Sequence, residues 1–394
     1  MSPKIYLTID NCVASKRWSE PAHWMQLFAD CGVYYVEASA DNEIDPLYSD
    51  KAYLDDWAEA VLQDAGKTGV KVANLYSGHG TYATLGLAHN DSRVRERIHH
   101  AWLDSMIDLA AKLDAGLGFF CHAFDQAVLN DPARYDFACQ DLTERLAGLA
   151  AYAKKKGVRY VGVEQMYTPH QVPWTVAGGA DLLQKIYARE QANFYLTIDT
   201  GHQSGQRKFL CPDAAAVSQI ANNIRQAGRL EGAWLGSNEA AEAFCKAALN
   251  GDDDKLLSIL QADRQKYPFL YAEMEDGDPY HWLSTLGIYS PIVHLQQTDG
   301  KSSAHQPFNA KCNEKGIIKG EALLKALKKS FDNAANWQNM PEPVDEICLT
   351  LEVFAGTADL PCDIINKITD SVKYWREFIP RDGMTLDELV DRIS

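Results

Sequence analysis

Residues 194–205 read FYLTIDTGHQSG, an alternation of aromatic and β-branched residues that runs into a glycine-bearing turn. That is the pattern of a strand with Asp199 and His202 placed at its end. A carboxylate and an imidazole three residues apart can address one point if the chain turns sharply between them, and Gly201 permits such a turn. Three other hydrophobic runs close on residues with the same capability: Glu164 after 162–163, His294 after 292–293 and Glu352 after 349–351. Singly, each has an ordinary explanation as a helix cap, a salt-bridged acid or a satisfied core histidine. Four of them at four strand ends do not read as core, because an uncompensated buried charge costs several kcal/mol. Three carboxylates and one imidazole form an oxygen-rich donor set suited to a single divalent ion. Mn2+ is the expected occupant, with Mg2+, Co2+ and Zn2+ as alternatives; no thiolates favour zinc.

Strand-like runs fall at 5–9, 34–37, 70–75, 117–121, 158–163, 194–198, 292–296 and 347–353. Between them, apolar residues recur at helical spacing over 21–31, 54–67, 92–113, 135–156, 182–190 and 320–331. Turns such as Lys67-Thr68-Gly69-Val70 and Lys156-Gly157-Val158 separate a helix from the next strand. Eight alternating units predict an α/β fold, a closed (β/α)8 TIM barrel spanning 1–394 as one domain. The rival, a doubly wound open sheet, would carry a glycine-rich phosphate loop after an early strand, and the first strand here leads into Asp10-Asn11-Cys12-Val13. In a barrel the C-terminal strand ends converge on one face, so Glu164, Asp199, His294 and Glu352 would be neighbours at the ends of strands five to eight. The spacing breaks once. Residues 204–290 exceed what one connecting helix needs, and predict a helical insertion between strands six and seven, a lid or subunit contact on the functional rim. Residues 367–394 read as closing helices.

The chain is 46% hydrophobic and 23% charged, a globular composition, and no apolar run is long enough to cross a bilayer. It opens MSPKIYLTIDN, directly in strand pattern without a basic and apolar leader, so the expectation is a cytoplasmic protein. Nine scattered cysteines without a C-x-x-C pair point to reduced core thiols. A formal charge of −16 without a basic groove argues against nucleic acid as a partner. Lys154–Lys156 are simply the solvated end of a helix.

Val163-Glu164, the Asp199-Thr200-Gly201-His202 turn, Val293-His294-Leu295-Gln296-Gln297 and Leu351-Glu352-Val353-Phe354 together resemble the xylose isomerase-like barrel superfamily of sugar isomerases and 3-epimerases. The likeness is specific over strands five to eight and one of overall pattern in the first half. It implies one metal ion held by Glu164, Asp199, His294 and Glu352, with the two glutamates also moving protons and His202 binding a substrate oxygen. By the same carry-over His170 lies near another substrate contact, although the residue type differs. The implied reaction is isomerisation or epimerisation of a small ketose or ketose phosphate through an enediolate, in a homodimer or homotetramer. The physical logic agrees: a metal stabilises the developing oxyanion while two carboxylates serve as base and acid.

His79 and His122 follow strands three and four and could face the same pocket, and Trp18, Trp174 and Phe354 could wall it. Gln297 stands where relatives often carry an acid, and Lys301 with Ser302 and Ser303 could hold a phosphate or carboxylate. His305 has no aspartate two positions before it, so the multi-metal phosphodiesterase arrangement of endonuclease IV is a remote alternative, and His305 itself is expected to be dispensable. A lyase, decarboxylase or hydrolase acting on a keto-sugar is the nearer alternative. A metal-free binding protein is the non-enzyme one.

Overall fold

The computed structural model describes residues 2–77, 86–333 and 337–393. Eight strands, β1 (Lys4–Asp10), β2 (Tyr35–Ser39), β3 (Lys71–Tyr76), β4 (Gly116–Phe119), β5 (Val161–Glu164), β6 (Tyr195–Asp199), β7 (Ile292–Leu295) and β8 (Glu346–Leu351), pair in parallel in chain order. β1 pairs with both β2 and β8, which closes the sheet into a barrel surrounded by helices. A short strand, β9 (Met384–Thr385), lies antiparallel against the start of β1 and was not foreseen from the sequence.

Strand periodicity sorts the side chains. Residues such as Leu7, Ile9, Val293, Leu295, Leu349 and Leu351 are fully buried in the main apolar core. Their neighbours along each strand carry the polar groups: Thr8 and Asp10, Glu37, Asn74 and Tyr76, Glu164, Asp199, His294 and Thr350, all buried. Because successive side chains alternate faces, these belong to the opposite, axial face. Two contacts across the barrel agree with that assignment: Tyr76 Oη of β3 donates to Glu164 Oε2 of β5 at 2.7 Å, and His294 of β7 meets Glu37 of β2 at 2.8 Å.

Local signals place the helices. Lys51–Thr68 begins where the Asp50 side chain accepts from the Tyr53 amide, and ends at Gly69, whose φ of +75° sends the chain into β3. Pro132–Lys156 is capped by Asp131 and closed by Gly157, with three lysines in the last turn where the helix dipole favours them. The stretch 92–113 is helical throughout, as its periodicity predicts, but Ile98–Leu103 is wound wider, and the Asp104 amide donates to the His99 carbonyl. Nothing in the apolar spacing marks that turn.

Between β6 and β7 the helices Ala214–Ala227, Asn238–Asn250 and Asp253–Lys266 pack on one another around Val217, Ile224, Phe244, Leu256 and Leu260, a small core separate from that of the barrel. The chain returns through Pro279–Leu286, where buried Trp282 donates its indole N–H to the Asp276 carbonyl. The closing helices are Pro361–Phe378 and Leu386–Ile393. All nine cysteines are free thiols, and no helix among the described residues is long and apolar enough to cross a membrane.

Candidate functional site

The C-terminal ends of β5 to β8 bring a set of ionisable groups together. Glu164 ends β5, and Asp199 ends β6 in register with His294 of β7. Glu352 follows β8, held by its amide, which donates to the Leu295 carbonyl at 3.0 Å. His294 Nδ1 lies 3.2 Å from Glu164 Oε1 and 3.6 Å from Glu352 Oε2. Its other nitrogen, Nε2, lies 2.8 Å from Glu37 Oε1. With Nε2–H donating to Glu37, Nδ1 is the nitrogen that faces the carboxylates, and on giving up its proton as a cation binds it would offer the lone pair a metal ligand needs.

The Asp-Thr-Gly-His turn folds around one oxygen. Asp199 Oδ1 accepts from the amides of Gly201 and His202 at 2.7 and 2.9 Å. A side chain at Gly201 would collide with Gln296, since its Cβ would stand 2.3 Å from the Gln296 amide carbon. That close approach lets Gln296 Nε2 reach both Asp199 oxygens at 2.9 Å. His202 Nδ1–H donates to the Gln165 carbonyl at 2.8 Å, which leaves Nε2 turned toward Asp199 at 3.8 Å.

Burial and mutual charge act on this set in opposite senses. Burial pushes Asp199 up, but His202, His305 and His294 together with the Gln296 amide outweigh it and hold the carboxyl down at about 2. Glu164 is likewise lowered: His202 and His294 overcome its desolvation. Glu352 is raised well above the ordinary carboxylate value by burial, to which the Asp199 and Glu164 charges add against the pull of His294. Asp10 is raised by burial and by Glu37 and Glu352. Burial opposes protonation of His294, yet Glu37 and Glu352 drive its pKa well up.

The ligand atoms of Asp199, His294 and Glu352 all lie within 4.8 Å of one another, as do those of Glu164, Asp199 and His202. Two donors each about 2.0–2.2 Å from a shared cation stand at most about 4.4 Å apart, so small side-chain adjustments suffice. Glu352 Oε2 is buried without a hydrogen-bond partner among the described residues. Buried oxygens are rarely left so without a reason. The donor set therefore fits a divalent cation. Of these groups Glu164, His202 and Glu352 face a cavity of about 210 Å³, lined also by Asp10, Tyr76 and His305 among others, while Asp199 and His294 are not part of its lining. A larger cavity of about 510 Å³ opens at the opposite mouth, among the strand starts near Tyr6, Asn74 and Arg159. No cluster of metal-capable side chains among the described residues lies there, so the smaller cavity is the candidate site. A third trio, His99, His100 and Asp104, sits toward solvent on and just after the wide helical turn.

A family model described as xylose isomerase-like TIM barrel matches residues 25–230, a little over half of the chain. The chain belongs to the xylose isomerase-like TIM barrel family. A D-erythrulose 1-phosphate 3-epimerase from Brucella abortus (strain 2308) is 36% identical to it over 110 residues, which cover 27% of this chain and 31% of that enzyme. The match thus spans about a third of the relative's length. Among solved structures, a Rhodospirillum rubrum protein described as a candidate xylose isomerase is similar with a TM-score of 0.67 at 19% identity, over 95% of this chain and 99% of that one. A D-tagatose 3-epimerase-like protein (0.54, 13%, 99% of both chains) and an L-ribulose 3-epimerase (0.53, 15%, 99% and 97%) also share the fold. The family match includes Glu164 and Asp199; His294 and Glu352 lie beyond it and reach them through barrel closure.

In this xylose isomerase-like barrel, Glu164, Asp199, His294, Glu352 and His202 lie close together at the strand ends. The other expected contacts do not. Gln297 turns away: Nε2 donates to Asn313 and to the Ile318 carbonyl, and Oε1 accepts from the Thr298 and Ile318 amides, so the side chain pins the loop after β7 to residues 313–318. Lys301 is 86% exposed and 3.7 Å from Asp299, outside the cavity lining, because its loop turns outward at Gly300. His170 Nδ1–H donates to the Phe124 carbonyl at 2.8 Å and braces a loop instead of lining the cavity. His122 is buried beside a neighbouring crevice with Ser77 and Trp102, separated from the carboxylates by Phe120. His79 lies outside the described residues. Trp174 packs on Phe209 and Trp18 on the apolar core, while Phe354 stacks on His305.

Sequence reasoning missed Glu37, Asp10, Tyr76, Gln296 and His305. Glu37 and Asp10 do end strand-like runs, the signal that found Glu164 and Asp199. His305 was expected to be dispensable, yet its Nδ1 stands 3.3 Å from Glu352 Oε2 and its ring lines the cavity.

Proposed function

We propose that this protein is a divalent-metal-dependent epimerase or isomerase of a small ketose or ketose phosphate, with Mn2+ as the native ion. The observation that carries the reading is His294, whose Nδ1 faces Glu164 and Glu352 while Glu37 anchors the far side of its ring. Glu164, Asp199, His294 and Glu352 would hold the ion. When bound, it supplies the Lewis acidity that makes a carbon beside a carbonyl acidic enough to lose its proton.

The chain's own residues do the rest. Glu164 and Glu352 reach the same cavity from β5 and β8, so one can remove the proton and the other return one to the enediolate that results. His202 Nε2 and Tyr76, both lining the cavity, are placed to bind substrate oxygens. The volume of about 210 Å³ falls below the roughly 300–1,000 Å³ of sites for drug-sized ligands, in keeping with a substrate of four to six carbons. The cavity lining among the described residues contains no lysine or arginine, so a phosphate would extend beyond it. Arg207 of the 204–290 insertion reaches the carbonyls of Gly277 and Gly300, which supports reading that insertion as a wall over the mouth.

The partial match to a D-erythrulose 1-phosphate 3-epimerase and the fold shared with ketose 3-epimerases favour epimerisation at C3. The test is solvent deuterium uptake, with Mn2+ present, across four- to six-carbon ketoses and their 1-phosphates. Label at C3 is the expected result. Label at C1 or C2 would make the protein an aldose–ketose isomerase, and a product of altered mass would replace both with a lyase or hydrolase.

A further inference from the structure

We propose that His305 is a positioning residue for Glu352, through a side-chain chain that links Glu352 to Asp199 around the cavity; the inference rests on the metal-centre reading above. His305 is a non-glycine residue with φ of +44°, in the left-handed region. Such residues persist where their surroundings over-determine them, and they cluster at functional sites. Its surroundings do so here. The His305 amide donates to Gln296 Oε1 at 2.8 Å, and the next residue, Gln306, exchanges both main-chain hydrogen bonds with Gln297. The imidazole lies flat on Phe354, with ring centres 3.8 Å apart and planes 10° from parallel.

This frame aims both ring nitrogens. Nδ1 stands 3.3 Å from Glu352 Oε2, the carboxylate oxygen without a hydrogen-bond partner, and Nε2 stands 3.3 Å from Ser303 Oγ. Ser303 Oγ is in turn 2.9 Å from Gln296 Nε2, which reaches both oxygens of Asp199. Proton positions can be assigned along it: Gln296 donates to Asp199 and Ser303, the Ser303 hydroxyl donates to His305 Nε2, and Nδ1 lies beside Glu352 Oε2 at 3.3 Å without closing a hydrogen bond to it. The orientations of two carboxylates from β6 and β8 are thereby coupled through a loop after β7. Glu352, which follows its strand instead of ending it, has a His305 ring nitrogen 3.3 Å from Oε2, where Asp199 has two hydrogen bonds from Gln296.

Removing a group that orients a metal ligand costs about 10–100-fold in metal affinity or activity. The test uses His305→Phe, which keeps a flat ring against Phe354 without nitrogens, and His305→Asn, which tolerates left-handed backbone and restores an N–H near Nδ1. Mn2+ affinity of chelator-stripped protein is read by electron paramagnetic resonance titration, and kcat and KM on the ketose panel separately. Affinity should fall about 10–100-fold in His305→Phe and recover about tenfold in His305→Asn, with kcat following and KM nearly unchanged. Wild-type Mn2+ affinity and kcat in His305→Phe would overturn the inference and leave the epimerase reading standing. A wild-type protein inert on every ketose, whose Mn2+ affinity still falls in His305→Phe, would do the reverse. If His305→Phe does not fold, Ser303→Ala carries the comparison. It should weaken Mn2+ binding by at least about threefold, and an unchanged affinity there would also overturn the proposal.

Discussion

Replacing Glu37 by glutamine removes the charge behind His294 while keeping its shape. Glu37 is fully buried, and its Oε1 is 2.8 Å from His294 Nε2. The amide oxygen of glutamine can still accept that proton, so the ring should keep its orientation and lose only the charge that makes Nδ1 a better donor. Removing the charge that braces a metal-binding histidine costs about 10–100-fold in metal affinity, or about 1.4–2.7 kcal/mol. The loss can be followed as stability. At Mn2+ one hundred times the wild-type Kd, binding adds about 2.7 kcal/mol, and a 30-fold weaker site adds about 0.9 kcal/mol at the same concentration. The shortfall of about 1.9 kcal/mol, against an unfolding entropy of about 2.1 cal/mol/K per residue over the 394 residues, is about 2 °C in Tm. The assay is a pair of melting curves for each protein, in Mn2+ and in EDTA, with Kd from direct titration. A Glu37→Gln protein whose Mn2+-dependent Tm increment and Kd both match wild type would refute the assignment of His294 as a ligand braced by Glu37.

Glu164→Gln and Glu352→Gln should each lower kcat for C3 exchange by about 10²–10⁴-fold, the usual share of a general acid or base, with folding intact by circular dichroism; wild-type exchange in either removes the two-carboxylate mechanism. Burial drives His122 down from its ordinary value of 6.5 to about 3. The folded state therefore stays neutral while the unfolded chain takes up a proton, so this residue costs nothing above pH 6.5 and about 2 kcal/mol by pH 5. Urea unfolding at pH 7.5 and pH 5 should show His122→Asn losing less stability between the two than wild type, and equal losses would contradict a neutral buried imidazole. Gln297→Ala should destabilise the fold by about 1–3 kcal/mol, through the Thr298 and Ile318 amides left unpaired, without shifting substrate preference. Lys301→Ala should leave KM unchanged for a ketose 1-phosphate and for the free ketose, because the lysine stands exposed outside the cavity lining; a KM raised for the phosphate alone would contradict that placement.

The parts of this protein legible in its sequence are those set by local chain geometry. Alternation of apolar residues marks the eight strands, glycines such as Gly69 and Gly157 mark where helices stop, and the Asp199–His202 turn is written in four consecutive residues. Strand ends in a parallel barrel share one face, so Glu164, Asp199, His294 and Glu352 could be grouped without coordinates. What the sequence left undecided depends on closure and on where each loop goes after its strand. Glu37 reaches His294 only because β8 and β1 complete the circuit between β7 and β2, and nothing near Glu37 in the chain encodes that distance. Gln296 and Gln297 are chemically identical, yet one grips Asp199 and the other a distant loop, because consecutive side chains leave a strand on opposite sides. His305 lies three residues past the last of the Thr298–Ser302 turn and returns to the cavity through pairing between Gln306 and Gln297. Side-chain chemistry and periodicity are carried residue by residue along the chain. Proximity across the barrel is a property of the closed sheet, fixed by the packing of all eight strands at once.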